Sequence, residues 1–403
     1  MQGFFNTEEF IRKFITRRKE SLLANDISNS QDLLNNEING RSILVIGGAG
    51  TIGSSFIKAI LKFSPGKLVV VDINENGLTE LVRDCRSSKD LELPAQFKSY
   101  PVNFGDSVFK KIFDQQGPFD IVANFAAHKH VRSEKDALSI EAMIENNVVR
   151  TKRLLDILKS NKPSHFFCVS TDKAANPVNI MGASKKLMEE VILAYSQTLN
   201  ISTARFANVA FSNGSLLAGF FERMMKQQPL SCPSDVKRFF VSPQESGEIC
   251  MLACMLGKSG DIFFPKLDAE KDMVNFADIV EPFLNQLGFE MDICKSEKEA
   301  REKAASLNSK NYPVYFFDSE TSGEKLYEEF YTDQEELELD RFHALGIIKN
   351  AKRRNPRELD EIIDQIELLF SQSINKSDVI GLLSKYLPNF QHIETGLNLD
   401  QKM

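Results

Sequence analysis

A glycine-rich loop between two apolar runs constrains the fold of this chain most strongly. The stretch VIGGAGTIGSSFI places Gly47, Gly50 and Gly53 at GxxGxxG spacing, after the apolar run SILVI and at the start of a segment with helical periodicity. The first glycine permits a tight turn, the second lets a pyrophosphate approach the backbone, and the third lets the helix pack on the strand. The amides at that helix N-terminus suit phosphate oxygens. Together with the following apolar run KLVVVD, the pattern predicts a β-α-β unit that binds a dinucleotide.

Apolar runs continue to alternate with amphipathic segments further along the chain. FDIVANFAA, HFFCVST and ISTARFANV are predicted strands, and the segments between them have helical periodicity. Apolar strands of this kind indicate a parallel sheet that helices cover on both faces. We therefore predict an α/β protein with a Rossmann-type, doubly wound parallel sheet, a smaller mixed α/β substrate domain and an N-terminal helical extension.

The regular alternation of predicted strands and helices becomes less clear after about residue 210, and this change indicates a domain limit. We predict an N-terminal helical extension over residues 1–40, a dinucleotide-binding domain over 41–210, a partly interleaved substrate-binding domain over 211–340 and a C-terminal helical region over 341–403. In the extension, Asn6 and Glu9 resemble a capping box, so a helix is predicted over residues 6–24.

Charge and composition exclude several classes of function. A formal net charge of −7 argues against general attraction to nucleic acid or anionic lipid. No apolar run reaches the length of a membrane span, and the N-terminus mixes charges with its apolar residues, unlike a signal peptide. The six cysteines are scattered without a CxxC pair, which indicates reduced thiols in the cytoplasm. His128 and His130 lack a third ligand nearby, so no metal is expected.

The end of the second predicted strand discriminates between two dinucleotides. A carboxylate at Asp72 can accept hydrogen bonds from both adenosine ribose hydroxyls and repels a 2′-phosphate, which favours NAD over NADP. Arg83 and Arg86 on the next predicted helix could weaken this preference. The predicted cofactor residues lie in the glycine loop and after three later strands: Gly47, Gly50, Thr51, Ile52, Gly53, Asp72, Asn103, Phe104, Ala126, Ala127 and Lys129.

The stretch VSTDKAANPVNIMGASK contains the candidate catalytic residues. It begins at the end of a central predicted strand, where parallel sheets bind their ligands. Thr171, Asp172 and Lys173 there can supply acid and base groups for proton transfer. Met181 cannot take or give a proton, although it lies one helical turn before Lys185 and faces the same way.

Several motifs in this order resemble one family. The glycine loop, NFAAHKHV, STDKAANPVNIMGASK, RFANVAFSNGS and SGEKLYEEF resemble extended short-chain dehydrogenases, most closely the nucleotide-sugar 4,6-dehydratases of bacterial polysaccharide biosynthesis, over roughly residues 41–335. The resemblance is to a soluble form of the retaining branch that acts on UDP-N-acetylglucosamine, in which methionine also replaces the usual tyrosine. TSGEKL for RPGEKL, the segment RSEKDALSIEAM and Arg150 in place of a glycine depart from the pattern. A GDP-linked substrate therefore stays open beside a UDP-linked one.

The resemblance implies a reaction with no net redox change. NAD takes a hydride from carbon 4 of the hexose, water is lost across carbons 5 and 6, and the hydride returns to carbon 6. Asp172 is the candidate acid for the departing hydroxyl, and Lys173 is the candidate base for carbon 5, which requires a lowered pKa. Lys185 is expected to bind the nicotinamide ribose. The proton of the carbon 4 hydroxyl is expected to go to Asp172, with Thr171 or water as alternatives.

The remaining expectations concern substrate, partners and competing functions. Asn147 is expected to orient the active-site backbone, and a homodimer or larger homo-oligomer is expected from the resemblance. The alternatives are a nucleotide-sugar epimerase, which normally needs a tyrosine at position 181, and a non-catalytic NAD-binding scaffold. The candidate substrate-binding residues are His130, Asn208, Ser212, Asn213, Lys237, Arg238, Glu324 and Lys325.

Overall fold

A computed structural model of the chain describes residues 5–307, 310–319 and 327–394, and its central feature is a nine-stranded sheet. The strands are β1 (Ser42–Ile46), β2 (Lys67–Asp72), β3 (Gln96–Pro101), β4 (Ile121–Asn124), β5 (His165–Val169), β6 (Ile201–Ala204), β7 (Asn208–Val209), β8 (Leu230–Pro233), β9 (Lys237–Val241), β10 (Asp261–Pro265), β11 (Met273–Asn275), β12 (Glu290–Cys294), β13 (Asn311–Phe317), β14 (Leu337–Glu338) and β15 (Leu345–Ile348). The sheet order is β3-β2-β1-β4-β5-β6-β10-β15-β14.

Seven neighbouring strands of this sheet, from β3 to β10, are parallel. Strand β15 runs antiparallel to β10, and β14 runs antiparallel to β15. The strand order reverses between β1 and β4, and a doubly wound sheet binds its ligand in the crevice at that point. The predicted α/β class with a Rossmann-type parallel sheet is confirmed.

The described residues form sixteen α-helices, some of which cover both faces of the main sheet while others pack in the smaller unit. They are α1 (Thr7–Phe10), α2 (Ala24–Asn29), α3 (Gln31–Ile38), α4 (Thr51–Leu61), α5 (Glu75–Ser87), α6 (Ser107–Gln116), α7 (Ala137–Ile144), α8 (Arg150–Ser160), α9 (Ile180–Ala194), α10 (Leu216–Met225), α11 (Pro243–Leu256), α12 (Ala269–Asp272), α13 (Ala277–Gln286), α14 (Glu297–Ala305), α15 (Pro356–Phe370) and α16 (Lys376–Tyr386). Alternate residues of β1 show why both faces are apolar. Val45 packs in the core that contains α4 and α11, whereas Leu44 packs in the core that contains α8, α9 and α15.

Two three-stranded sheets stand beside the main one and form a smaller unit. Their orders are β11-β9-β7 and β12-β13-β8. A third apolar core joins them to α10 and α13, and Phe10, Ile11 and Ile15 of the N-terminal extension pack into it. The extension therefore completes the core of the smaller unit. Among the described residues, no helix has the length and apolar character needed to cross a membrane.

Three expectations from sequence differ from the structure. The helix predicted over residues 6–24 is α1 followed by a π-helical turn at Ile11–Ile15, and Arg17 then adopts a positive φ of 55°. The single strand predicted in ISTARFANV is divided into β6 and β7, which lie in different sheets, with the buried Arg205 between them. The region predicted to be helical after residue 340 begins with β15, because its apolar run LGII pairs with β10.

Candidate active site

A cavity of about 330 Å³, the cofactor cavity, lies at the carboxyl ends of β1, β2, β3 and β4. Its size is within the range of small-molecule sites. Lys185 does not line this cavity, but the other eleven predicted cofactor residues do. They are Gly47, Gly50, Thr51, Ile52, Gly53, Asp72, Asn103, Phe104, Ala126, Ala127 and Lys129. The structure therefore brings together residues that the sequence places in four separate segments.

Backbone contacts explain the glycines of this cavity. Gly47 has a φ of +77°, and a Cβ there would lie 2.5 Å from the amide nitrogen of Ala126. A Cβ on Gly53 would lie 2.3 Å from the carbonyl oxygen of Gly47, so helix α4 could not approach β1 as closely. Gly50 is the N-cap of α4 and no side chain caps that helix end. The loop thus forms a cradle of bare backbone at a helix N-terminus, which fits the pyrophosphate of a dinucleotide.

Asp72 holds this loop in place. One of its carboxylate oxygens accepts a hydrogen bond from the Ala49 amide at 2.9 Å, and the other accepts one from the Asn74 amide at 2.9 Å. Arg83 is exposed and forms an ion pair with Glu80 at 2.6 Å, and it does not line the cavity. The carboxylate at the end of β2 is therefore the charge that an adenosine ribose would meet, and it fits NAD better than NADP.

A second cavity of about 350 Å³, the catalytic cavity, continues from the first. The two share Ile52, Phe125, Ala127 and Lys129. All five predicted catalytic residues line it, together with three predicted substrate residues: Thr171, Asp172, Lys173, Met181, Lys185, His130, Asn208 and Ser212. One continuous cleft thus connects the glycine loop to the end of β5.

Asp172 and Lys173 form an ion pair at the end of β5. The Lys173 Nζ donates to the Asp172 Oδ1 at 3.0 Å, and the Thr171 hydroxyl donates to the same oxygen at 2.8 Å. A second buried carboxylate, that of Glu328, lies 3.8 Å from the Lys173 Nζ. Burial lowers the pKa of Lys173, but the charges of Asp172 and Glu328 outweigh it and the pKa is raised on balance, although Arg238 opposes them. The lowered pKa predicted for Lys173 is therefore not found, because two carboxylates surround its ammonium group.

Two other lysines of the cleft do have a lowered pKa, Lys129 and Lys185, and burial is the main cause for both. Burial lowers the pKa of Lys185 to about 8, although the charges of Cys168 and Glu189 act to raise it. The Lys185 Nζ donates to the Val169 carbonyl oxygen at 2.7 Å, so this buried side chain ties α9 to the end of β5. Met181 lines the same cavity one turn earlier and is buried.

Five hydrogen bonds between separate segments of the chain hold the cleft in shape. Asn147 is fully buried; its side chain accepts from the His128 amide at 2.8 Å and donates to the His128 carbonyl at 2.9 Å and to Ser184 at 3.1 Å. This is the geometry of a residue that orients backbone beside the site. The Lys129 Nζ donates to the Asn213 carbonyl oxygen at 3.1 Å, and the Asn213 amide donates to the Thr51 hydroxyl at 3.0 Å. These two bonds join the glycine loop to the segment after β7.

The C-terminal segment supports the loop between Lys173 and Met181. The amides of Gln391 and Ile393 donate to the carbonyl oxygens of Pro177 and Val178 at 3.3 and 2.9 Å. Next to this pairing, Glu134 accepts a hydrogen bond from the Met181 amide at 2.8 Å. The start of α9 is therefore fixed by parts of the chain that are distant in sequence.

Of four other predicted substrate residues, two are not found in the lining of either cavity and two lie outside the described residues. Lys237 is exposed on β9, and Arg238 is buried close enough to Lys173 to act on its pKa, but neither lines a cavity of the cleft. Glu324 and Lys325 lie outside the described residues. Within the described ranges, no group of three or more histidine, cysteine or acidic side chains is placed to hold a metal ion.

A buried cluster around Arg205 had no counterpart in the sequence predictions. Its guanidinium donates to Glu189 at 2.7 Å, to Glu335 at 2.7 Å and to the Phe330 carbonyl at 2.9 Å. The Ser170 hydroxyl donates to Glu189 at 2.9 Å, which connects the cluster to the end of β5. Position alone could have drawn attention to Glu328, because it directly follows the motif SGEKLY; Arg205 gave no such signal.

A family model described as polysaccharide biosynthesis protein matches residues 43–350. The chain belongs to this family. An uncharacterized membrane protein of Methanocaldococcus jannaschii is 28% identical over 83% of the chain and 99% of that protein. A UDP-N-acetylglucosamine 4,6-dehydratase (inverting) of Campylobacter jejuni is 26% identical over 61% of the chain and 73% of that enzyme. A UDP-glucose 4-epimerase of Rickettsia typhi is 28% identical over 57% of the chain and 67% of that enzyme.

Two other similar proteins are longer than this chain. The chain spans 49% of a capsular polysaccharide biosynthesis protein of Staphylococcus aureus and 41% of a probable polysaccharide biosynthesis protein of Bacillus subtilis. The predicted resemblance to polysaccharide biosynthesis enzymes is confirmed at the level of the family. The retaining branch and the substrate stay predictions.

Solved structures share the fold. Pen from Bacillus thuringiensis aligns with a TM-score of 0.63 and 20% identity over 82% of the chain and 99% of its own length. A dTDP-glucose 4,6-dehydratase from Bacillus anthracis, solved in complex with NAD, aligns with a TM-score of 0.51 and 17% identity over 73% of the chain and 88% of its own length. At these identities the likeness establishes the architecture.

Proposed function

We propose that the protein is an NAD-dependent 4,6-dehydratase of a nucleotide-activated N-acetylhexosamine, UDP- or GDP-N-acetylglucosamine. The product is the 4-keto-6-deoxy sugar, a precursor for surface glycan or nonulosonic acid synthesis. The observation that carries the proposal is the cluster of Thr171, Asp172 and Lys173 in the same cleft as Met181. The cleft therefore contains acid–base groups for water loss, while Met181 occupies the position where a tyrosine-dependent oxidoreductase or epimerase has a tyrosine.

The cofactor cavity supports NAD as the redox partner. When bound, NAD supplies a reversible hydride acceptor next to the sugar. The backbone cradle of Gly47, Gly50 and Gly53 would hold its pyrophosphate, and Asp72 its adenosine ribose. Lys185, which is buried and lines the catalytic cavity, would bind the nicotinamide ribose from the buried end of the cleft.

Asp172 acts twice in this scheme. Its carboxylate accepts the proton of the carbon 4 hydroxyl and later donates that proton to the carbon 6 hydroxyl, which leaves as water. The Thr171 hydroxyl donates to one oxygen of the Asp172 carboxylate and holds that carboxylate near the carboxyl end of β5. Positioned acid–base groups of this kind contribute roughly 10²–10⁴-fold to the rate.

Lys173 is the proposed base at carbon 5, and it must first release its own proton to water. The carboxylates of Asp172 and Glu328 raise its pKa above the value that burial alone would give. Protonation of Asp172 by the carbon 4 hydroxyl removes one of these two charges, which lowers the pKa of Lys173. Oxidation at carbon 4 would therefore prepare Lys173 to accept the carbon 5 proton, which it later returns to the same carbon.

The second candidate is a nucleotide-sugar epimerase. It is favoured by the match to a UDP-glucose 4-epimerase, which covers 57% of the chain. Epimerisation would need a group that takes the proton of the carbon 4 hydroxyl during oxidation and returns it to that oxygen after hydride transfer to the opposite face, without loss of water. Met181 cannot do this, so another group of the cavity, such as Asp172 or Thr171, would have to take over the task.

The deciding experiment incubates the purified protein and NAD with UDP- and GDP-N-acetylglucosamine, with dTDP-glucose as a control substrate. A dehydratase product is lighter by one water in mass spectrometry, and its keto group gives absorbance in strong base. An epimer has unchanged mass and a changed sugar configuration, which would establish the second candidate. No conversion of any sugar nucleotide, with NAD bound, would favour the non-catalytic scaffold.

A further inference from the structure

Glu328 is a buried carboxylate beside the proposed catalytic lysine. Its Oε1 lies 3.8 Å from the Lys173 Nζ, and its side chain is only 5% exposed. Asp172, equally buried, contacts the same ammonium group at 3.0 Å. Lys173 therefore lies between two carboxylates that come from distant parts of the chain.

The position of Glu328 is held by a buried network. Two residues later, the Phe330 carbonyl accepts a hydrogen bond from the Arg205 guanidinium, which is fully buried. Arg205 also binds Glu335 and Glu189, so the segment from Glu328 to Glu335 is fastened to β6 and α9. Glu189 accepts from Ser170, next to Thr171. The same network thus positions both sides of the Lys173 environment.

Burial and the charges of three neighbouring side chains together set the protonation state of Lys173. Besides Asp172 and Glu328, the group that acts on it is the guanidinium of Arg238, which disfavours a second positive charge. Burial also disfavours the ammonium form. With Glu328 neutral, one carboxylate would face one guanidinium, and burial would then favour loss of the lysine proton.

We propose that Glu328 is a positioning residue, which holds the ammonium group of Lys173 and sets the pH at which this lysine loses its proton. Glu328 itself does not contact the substrate in this role. The consequence for catalysis rests on the proposed function, whereas the effect on the charge of Lys173 does not.

The test measures the protonation of Lys173 directly. Wild type and Glu328→Gln are labelled with trace acetic anhydride over a range of pH, because only neutral amines react, and each lysine is quantified by mass spectrometry. Lys298, whose side chain is 86% exposed, serves as the internal reference. The matched control is Glu329→Gln, which makes the same charge change on the exposed neighbour that binds Asn176 at 2.9 Å.

Loss of an opposite charge at this distance should lower the pH of half-reaction of Lys173 by roughly 1–3 units. Glu329→Gln should behave as wild type, and Glu328→Asp, which keeps the charge, should restore most of the wild-type value. An unchanged Lys173 titration in a folded Glu328→Gln protein would overturn the proposal, and so would an equal shift in Glu329→Gln. Near-ultraviolet circular dichroism checks folding.

Turnover then separates this proposal from the function on which its catalytic consequence rests. If wild type dehydrates the sugar nucleotide, the limb of the pH–kcat profile that reports Lys173 should move in Glu328→Gln by the same amount as the labelling curve. A shifted labelling curve in a protein that converts no sugar nucleotide would support the role of Glu328 and reject the dehydratase. A shifted labelling curve with a fixed kcat profile would reject Lys173 as the group that limits the rate.

Discussion

The cofactor cavity and the catalytic cavity share a wall but are built in different ways. The first is lined by residues between Ile46 and Arg150, and its most constrained positions are glycines that expose backbone. The second depends on ion pairs that join remote parts of the chain, Lys173 with Glu328 and Arg205 with Glu189 and Glu335. In a site built from bare backbone, an added side chain clashes with neighbouring atoms. In a site built from buried ion pairs, removal of one charge leaves its partner unpaired. The two cavities should therefore respond to different kinds of mutation.

The largest expected effect separates the cavities by function. Asp172→Asn should lower kcat for the proposed dehydration by roughly 10²–10⁴-fold, because it removes the group that transfers protons at carbons 4 and 6. Affinity for NAD, measured by isothermal titration calorimetry, should stay near the wild-type value. Asp90→Asn, at an exposed position, is the control. Near-normal turnover in Asp172→Asn would contradict the assignment.

The second-largest expected effect tests whether the buried ion pairs of Arg205 stabilise the residues around the catalytic cavity. Arg205→Ala leaves Glu189 and Glu335 without their buried partner, and breaking such a cluster costs about 3–5 kcal/mol of unfolding free energy. Arg83→Ala removes an exposed ion pair and should cost less than about 1 kcal/mol. Urea unfolding measures both. Equal losses in the two variants would show that the buried cluster contributes no more than a surface pair.

A pair of glycine variants tests the backbone construction of the cofactor cavity. Gly53→Ala drives a Cβ to 2.3 Å from the Gly47 carbonyl and should cost about 1–3 kcal/mol of stability without any cofactor. At Gly50 a Cβ would approach that oxygen no closer than 3.5 Å, so Gly50→Ala should leave the ligand-free protein nearly unchanged and weaken only NAD binding. Thermal unfolding with and without NAD distinguishes the two. If both variants destabilise the ligand-free protein alike, steric contact within the loop does not explain Gly53.

The smallest effect concerns shape within the catalytic cavity. Met181→Leu conserves volume and apolar character, and such swaps usually cost less than about 1.5 kcal/mol. Because Met181 has no proton to transfer, the variant should retain substantial dehydratase activity in steady-state assays. A loss comparable to that of Asp172→Asn would mean that the methionine sulfur has a direct part in the reaction.

The difference in construction also explains what could be predicted from sequence. Glycine spacing, strand ends and Asp72 report local backbone geometry, which is why the predicted cofactor residues other than Lys185 line one cavity. The parallel sheet followed from apolar runs of short length. The proposed catalytic residues Asp172 and Lys173 could be picked out because they lie just after the end of β5.

The parts that escaped prediction depend on contacts between distant residues. Glu328 reaches Lys173 only after the chain has passed through the smaller unit, and Arg205 lies between two strands that look like one in the sequence. The pKa of Lys173 is raised by its sequence neighbour Asp172 together with Glu328, and the second of these charges was not visible in the local sequence. The helix predicted over residues 6–24 was wrong beyond Ile15 because the chain turns there to pack its apolar side chains into the smaller unit.

The pairing of Gln391 and Ile393 with Pro177 and Val178 has a consequence for synthesis of the protein. A ribosome makes Asp172 and Lys173 long before it makes Glu328, and the segment that supports the loop after Lys173 comes later still. A nascent chain can therefore form the glycine loop and its first strands early, but it cannot complete the surroundings of the proposed catalytic lysine until residues 391–393 have been made. The cleft would therefore gain its cofactor side before its catalytic side during synthesis.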